Sequence, residues 1–151
     1  DLDRYLRAIT LECSGHMSRF YVGGWGGSDI PMSRPAGRIF KPGIVLTHQY
    51  DFGTTSETLV KVVSSRQGKP TTTRPIALMA RNAPPEVSCI ECGQAAAWLC
   101  MECLIEDDCF GTLCNEHVAT HCHHGYGEPV AIVNSPRLGM CGYNGPAEPP
   151  Y

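Results

Sequence analysis

Hydrophobic and polar positions follow two different periods along this chain. Leu2, Tyr5, Leu6 and Ile9 recur at spacings of three, one and three, which sets them on one face of a helix with Asp1 available as its N-terminal cap. Between positions 10 and 22 β-branched, aromatic and polar residues mix, and the helix gives way to extended chain around Ser14-Gly15. From Ile44 the period shortens. Residues 44–52, 58–63 and 71–80 are β-branched stretches separated by Gly53-Thr54-Thr55-Ser56 and Gln67-Gly68-Lys69-Pro70, and they predict an antiparallel meander. Pro129-Val130-Ala131-Ile132-Val133 reads as one more strand, returning to the same sheet.

These elements predict an α+β fold: an N-terminal helix and an antiparallel β-meander core, with a cysteine-rich module inserted before the last strand. The expected boundaries are 1–85 for the core, 86–128 for the module, 129–143 for the returning strand and 144–151 for a trailing tail. The densest glycine segment, Gly23-Gly24-Trp25-Gly26-Gly27, lacks the Gly-Lys-Ser/Thr ending of a phosphate-binding loop and reads as a surface loop. No apolar run approaches the roughly 20 residues a spanning helix needs, so no membrane association is expected.

Charge divides the chain at nearly the same place as the pattern does. Up to Arg81 there are eleven Lys/Arg against six acids, a net of +5; beyond it Arg137 alone faces nine acids, a net of −8. The boundary coincides with Asn82-Ala83-Pro84-Pro85. Between Asn82 and Gly127 there is no Lys or Arg at all, which makes this segment a poor candidate for touching phosphate.

The same segment carries the chemistry. Seven of the nine cysteines fall from Cys89 to Cys122, beside His117, His121, His123 and His124. Cys89-x-x-Cys92, Cys100-x-x-Cys103 and Cys114-x-x-His117 are pairs whose two-residue spacing lets both donors approach one ion at tetrahedral angles. Alternation of the pairs predicts two zinc ions in a cross-braced arrangement, one on Cys89, Cys92, Cys114 and His117 and the other on Cys100, Cys103, His121 and His123. Cys109, Cys122 and His124 are alternative ligands. Sulfur and imidazole suit zinc, and four protein ligands leave no position for a reactive water, so the ions are expected to be structural. Trp98 is read as a packing residue. Thiolate sites and an odd cysteine count point to a reducing cytoplasm rather than a disulfide framework. Cys13, His16 and Cys141 lie outside the module and are read as buried thiols and a satisfied histidine.

Several segments together resemble a known group. Leu2-Asp3-Arg4-Tyr5-Leu6-Arg7, Leu11-Glu12-Cys13-Ser14-Gly15-His16, Tyr50-Asp51-Phe52-Gly53, Arg81-Asn82-x-Pro84-Pro85, the paired cysteines and Val133-Asn134-Ser135-Pro136-Arg137 are similar to uncharacterised prokaryotic proteins related to the plasmid pRiA4b ORF-3-like family, some labelled insertion-element passengers or TnpR-like. The resemblance spans nearly the whole chain. It departs at Thr54, where the broader family has Asp, and closer relatives are expected to carry Cys at the positions of His117 and His123, an exchange that preserves a ligand. It implies an α+β fold and bound zinc, and no reaction; no recombinase serine or tyrosine signature accompanies it.

The leading functional expectation is therefore a non-catalytic zinc protein acting as a protein-interaction module with an unknown protein partner. The alternative is a nucleic-acid-associated accessory protein of a mobile element, contacting phosphate through Arg4, Arg7, Arg19, Arg34, Arg38 and Lys41. An enzyme is the third reading, with Asp51, His48 and His16 as its only scattered candidates.

Overall fold

A computed structural model describes residues 1–13, 15–23, 26–70, 72–122, 125–140 and 143. Its elements are α1 (Leu2–Ile9), β1 (Ser18–Val22), β2 (Ser28–Ile30), α2 (Ala36–Ile39), β3 (Val45–Tyr50), β4 (Ser56–Lys61), β5 (Trp98–Cys100), α3 (Met101–Glu106), β6 (Gly111–Leu113) and β7 (Val130–Ala131). The fold is α+β, with an N-terminal helix and antiparallel sheets. Among the described residues no helix is long and apolar enough to cross a membrane. Two compact units divide the chain: Asp1–Leu6 with Gly15–Ala77, and Arg7–Ser14 with Leu78–Tyr151.

The first unit is a four-stranded antiparallel sheet in the order β2-β1-β3-β4. Register fixes its two faces. Phe20 stands opposite both Ile30 and His48, so these residues share one face with Leu46 and Tyr50, and all except Ile30 are nearly fully buried. The opposite face carries a polar mesh: Arg19 Nε donates to Gln49 Oε1 at 2.7 Å, and Tyr21 Oη and Gln49 Nε2 both donate to Glu57 Oε1. β4 alternates half-buried and exposed residues in step with this division. Helix α1 begins on the apolar face, where Asp3 Oδ1 lies 2.9 Å from His48 Nε2 and 2.5 Å from Ser18 Oγ. Its predicted stripe is there, with Tyr5 and Leu6 buried.

The predicted meander is corrected in one strand. β3 and β4 form the expected hairpin, but the described residues of 71–80 contain no strand, and the sheet is extended instead by β1 on the other side of β3. Pro75 has no N–H for a ladder and holds its backbone at one φ, and Pro70 stands at the start of the same stretch. Phe20-Tyr21-Val22 supplies instead a run of β-forming residues that no proline interrupts.

The second unit holds a three-stranded sheet in the order β6-β5-β7. Here the returning strand differs from expectation: Val130 pairs with Leu99 and Ala131 with Trp98, inside the cysteine-rich unit and not in the meander. β6 covers one side of β5, and β7 supplies the other, continued by Ile132 N–H donating to Ala97 O at 2.8 Å. The unit also begins before the expected boundary at Pro85, because Arg81 and Asn82 hydrogen-bond to Asn134. Its core cluster is Leu113, Cys89, Cys100, Cys103 and Cys114, with Trp98 and Val118 packed on it, and Leu99 is buried as well. A buried ion pair, Arg137 to Glu12 at 3.2 Å, ties the 7–14 segment into the same unit.

Candidate metal centre

The first ligand pair sits on a tight turn. Cys89 N–H donates to Gln94 O at 2.7 Å and Gly93 N–H returns to Cys89 O at 2.9 Å, which forces the chain to reverse within five residues and sets both sulfurs on its inner side. Gly93 has φ of +71°, a conformation that glycine takes without strain. Thr112 in β6 clamps the turn: its Oγ1 donates to Ser88 O at 2.6 Å and its carbonyl accepts from Ile90 N–H at 2.9 Å. Two residues further on, β6 ends and delivers Cys114, and a second turn closed by Val118 N–H to Cys114 O brings His117 back.

Cys89, Cys92, Cys114 and His117 offer four donor atoms within 4.8 Å of one another. Three edges of this group are 3.6 Å from Cys89 Sγ to His117 Nδ1, 3.8 Å from Cys92 Sγ to Cys114 Sγ and 3.2 Å from Cys114 Sγ to His117 Nδ1. A tetrahedron about an ion bonded to sulfur at about 2.3 Å and to nitrogen at about 2.05 Å has S–S edges of roughly 3.8 Å and S–N edges of roughly 3.6 Å. The Cys89–His117 and Cys92–Cys114 edges match these values, the Cys114–His117 edge is about 0.4 Å shorter, and the group can hold a metal ion.

Cys100, Cys103 and His121 form the second group, with Cys103 Sγ 3.4 Å from His121 Nε2. Cys100 ends β5 and Cys103 lies in the first turn of α3, so the sheet-to-helix junction presents both thiols together. Cys103 also belongs to a third group with Asp107 and Cys109, because both Asp107 and Cys109 N–H donate to Cys103 O at 3.2 Å and curl the chain back onto it. Gly111 makes this possible: a Cβ there would lie 2.4 Å from Cys103 Cβ and 3.1 Å from Cys100 Cβ. His123, assigned to the second site from the sequence, lies outside the described residues, as do His124 and Cys141. Cys122 is exposed and joins none of these groups.

Electrostatics distinguish the two groups. Burial pushes the Cys89 thiol up, but the backbone N–H groups of Cys114, Cys92 and Glu91 outweigh it and bring it down to about 6. The backbone N–H of His117 draws Cys114 down as well, against burial, while the Cys114 thiolate raises His117. Cys92 is drawn down by the Gln94 N–H, yet burial and the neighbouring Cys89 and Cys114 leave it raised. In the second group burial, followed by Cys100, pushes Cys103 up to about 12. A cation bound among such groups inverts this pattern, since it replaces protons on the sulfurs.

The remaining sequence candidates fall into separate pairs within the first unit. His48 is buried against Asp3, whereas His16 Nδ1 lies 3.5 Å from Asp51 Oδ2. Asp51 has φ of +59°, and its Oδ1 accepts the N–H groups of Gly53 and Thr54, so its carboxylate holds a turn. Sequence reasoning missed Asp107 as a neighbour of Cys103, and missed helix α3, which Met101, Glu102, Leu104 and Glu106 signal as strong helix formers. Compared with family models, curated proteins and solved structures, the chain gives no match.

Proposed function

We propose that this chain is a non-catalytic zinc protein in which two ions hold a protein-interaction module together. The observation that carries the reading is the closure of the first group, where two turns from separate segments supply four sulfur and nitrogen donors at tetrahedral spacing. Such a donor set suits zinc, and an ion with four protein ligands has no open position for water or substrate. The second ion would take Cys100, Cys103 and His121, with His123 as the fourth ligand read from the sequence. The same reading places the protein in a reducing compartment, the cytoplasm.

An interaction role draws on the surface of this unit. Phe110 is 65% exposed, and Ile105 and Tyr126 are also exposed beside the acids of α3, where Glu106 accepts the Tyr126 hydroxyl and Glu102 accepts Gly125 N–H. With seven acids and no Lys or Arg from 82 to 127, the surface fits a partner segment that combines basic and large apolar residues. Zinc does not cancel this charge, because the three thiolates of the first site outweigh one dication.

Native mass spectrometry before and after a strong chelator tests the proposal. Two zinc ions per chain, with loss of folding on their removal, are expected; one ion overturns the pairing. No ions, with a mass deficit of two hydrogens per bridge, replaces zinc with disulfides. A second reading, a nucleic-acid-associated accessory of a mobile element, draws on Arg34, Arg38 and Lys41, exposed on the connection between β2 and β3. Arg19, by contrast, is held by Gln49 and Asp29. Salt-dependent retention on immobilised nucleic acid supports that reading, and no retention at low salt overturns it.

A further inference from the structure

The first unit contains a cavity that the metal chemistry does not use. It has a volume of about 700 Å³, within the range of about 300–1,000 Å³ common for small-ligand sites. Its floor is the apolar face of the four-stranded sheet, at Phe20, Ile30 and Leu46. Phe40, just past α2, and Ile76 are among the other apolar residues that line it.

One fixed acid interrupts these apolar walls. Asp3 lines the cavity from the first turn of α1, and its carboxylate is oriented by two groups on the sheet, His48 Nε2 at 2.9 Å and Ser18 Oγ at 2.5 Å. His48 is only 2% exposed, so it acts from behind the wall and holds the carboxylate in place rather than meeting a ligand. Asp1, whose side chain pairs with Arg4, adds a second acid to the lining, and among the described residues Arg34, exposed in the 31–35 segment, is the one cationic side chain there. A carboxylate held by second-layer hydrogen bonds at the edge of an apolar cavity is an arrangement that orients a donor while the walls take the body of the molecule.

We propose that this cavity is a binding site for a small amine with an apolar body, its ammonium or N–H group received by Asp3. This site is independent of the zinc reading, since none of its residues is a metal ligand.

The probes are phenethylamine and 3-phenylpropionate, which share an aromatic body and differ in the sign of the head group, titrated into the full chain with amide chemical shifts as readout. Phenethylamine is expected to bind with Kd on the order of 1 mM, as befits a fragment, and to move resonances of Phe20, Ile30 and Leu46. Asp3→Asn is expected to weaken it at least tenfold, and Ala36→Trp, which fills the cavity from an exposed position on α2, to abolish it. Should Asp3→Asn fail to fold, Ala36→Trp decides alone. Binding of phenylpropionate in preference to the amine, equal binding of both, binding of neither, or amine binding unchanged in Ala36→Trp overturns the proposal.

Discussion

Gly111→Ala places one methyl group against the second ligand group. Gly111 stands opposite Cys100 in the β5–β6 pair and has no positive φ, so alanine fits its backbone and the effect of the change is steric. The new Cβ would meet Cys103 Cβ at 2.4 Å, Cys103 Sγ at 2.9 Å and Cys100 Cβ at 3.1 Å. Ordinary carbon contacts lie at about 3.5–4.0 Å, so Cys103 or the strand must move by roughly 1 Å. Overpacking of this kind costs about 1–3 kcal/mol, and the atoms met are Cβ atoms close to the backbone, which places the cost near the upper end. Metal ligands tolerate displacements of only about 0.2 Å, and so the second ion should be lost while the first is kept. At about 2–4 °C per kcal/mol, the midpoint of thermal unfolding should fall by roughly 5–10 °C. Native mass spectrometry counts the ions and calorimetry follows the midpoint. Gly93→Ala is the comparison: its φ of +71° strains alanine by about 1 kcal/mol, but nothing lies within 4 Å of the added atom. If Gly111→Ala binds two ions and unfolds with the wild-type midpoint, the packing of 107–111 against the second group is wrong.

Other consequences can be checked alongside. Cys89→Ser or His117→Ala removes a ligand of the closed group, and each should leave a chain carrying at most one ion, read by mass; retention of both ions would show that the group is not a ligand set. The two sites should also separate on acidification. Cys89, lowered to about 6, is a thiolate above that pH and takes up its proton only as pH falls through it, so filling the first site at pH 7 displaces the protons of the raised His117 and Cys92; filling the second must displace that of Cys103, which is held up near 12 and is therefore the harder to remove. Lowering pH from 8 to 5 should therefore pass through a one-ion species that has lost the second ion, and simultaneous loss would contradict the assignment. His48→Leu removes a buried partner of Asp3 and should cost about 1–3 kcal/mol in urea unfolding of the first unit with the ion count unchanged; an unaltered midpoint would refute that role.

What could be read from the sequence was what local chemistry determines. The stripe Leu2, Tyr5, Leu6, Ile9 needed only helical period, and the β3–β4 hairpin only two β-branched runs and a short turn between them. The close ligand pairs were visible because two-residue spacing is itself the geometric requirement. Longer-range relations were not. β1 reaches its partner β3 from more than twenty residues away, and nothing in Ser18–Val22 states that Phe20 will face His48. The choice of β5 over the meander as partner for Val130 depends on which edge is open, a tertiary fact. Helix α3 is six residues long, too short to show a period, and Asp3 meets His48 across forty-five positions.

The order of the ligands along the chain bears on how this unit would survive cutting. Cys100 and Cys103 fall between the two halves of the first group, and Cys114 and His117 fall between Cys103 and His121 of the second. The groups are thus interleaved like links of a clasp, and the exposed segment 105–110 is crossed by both. With ions in both groups, a protease that cleaves within it would break the polypeptide without parting the fragments, because Cys89, Cys92, Cys100 and Cys103 would lie on one fragment and Cys114, His117 and His121 on the other. Such a nicked protein would run as two bands when denatured and as one particle when native, and would come apart only when a chelator removes the metal.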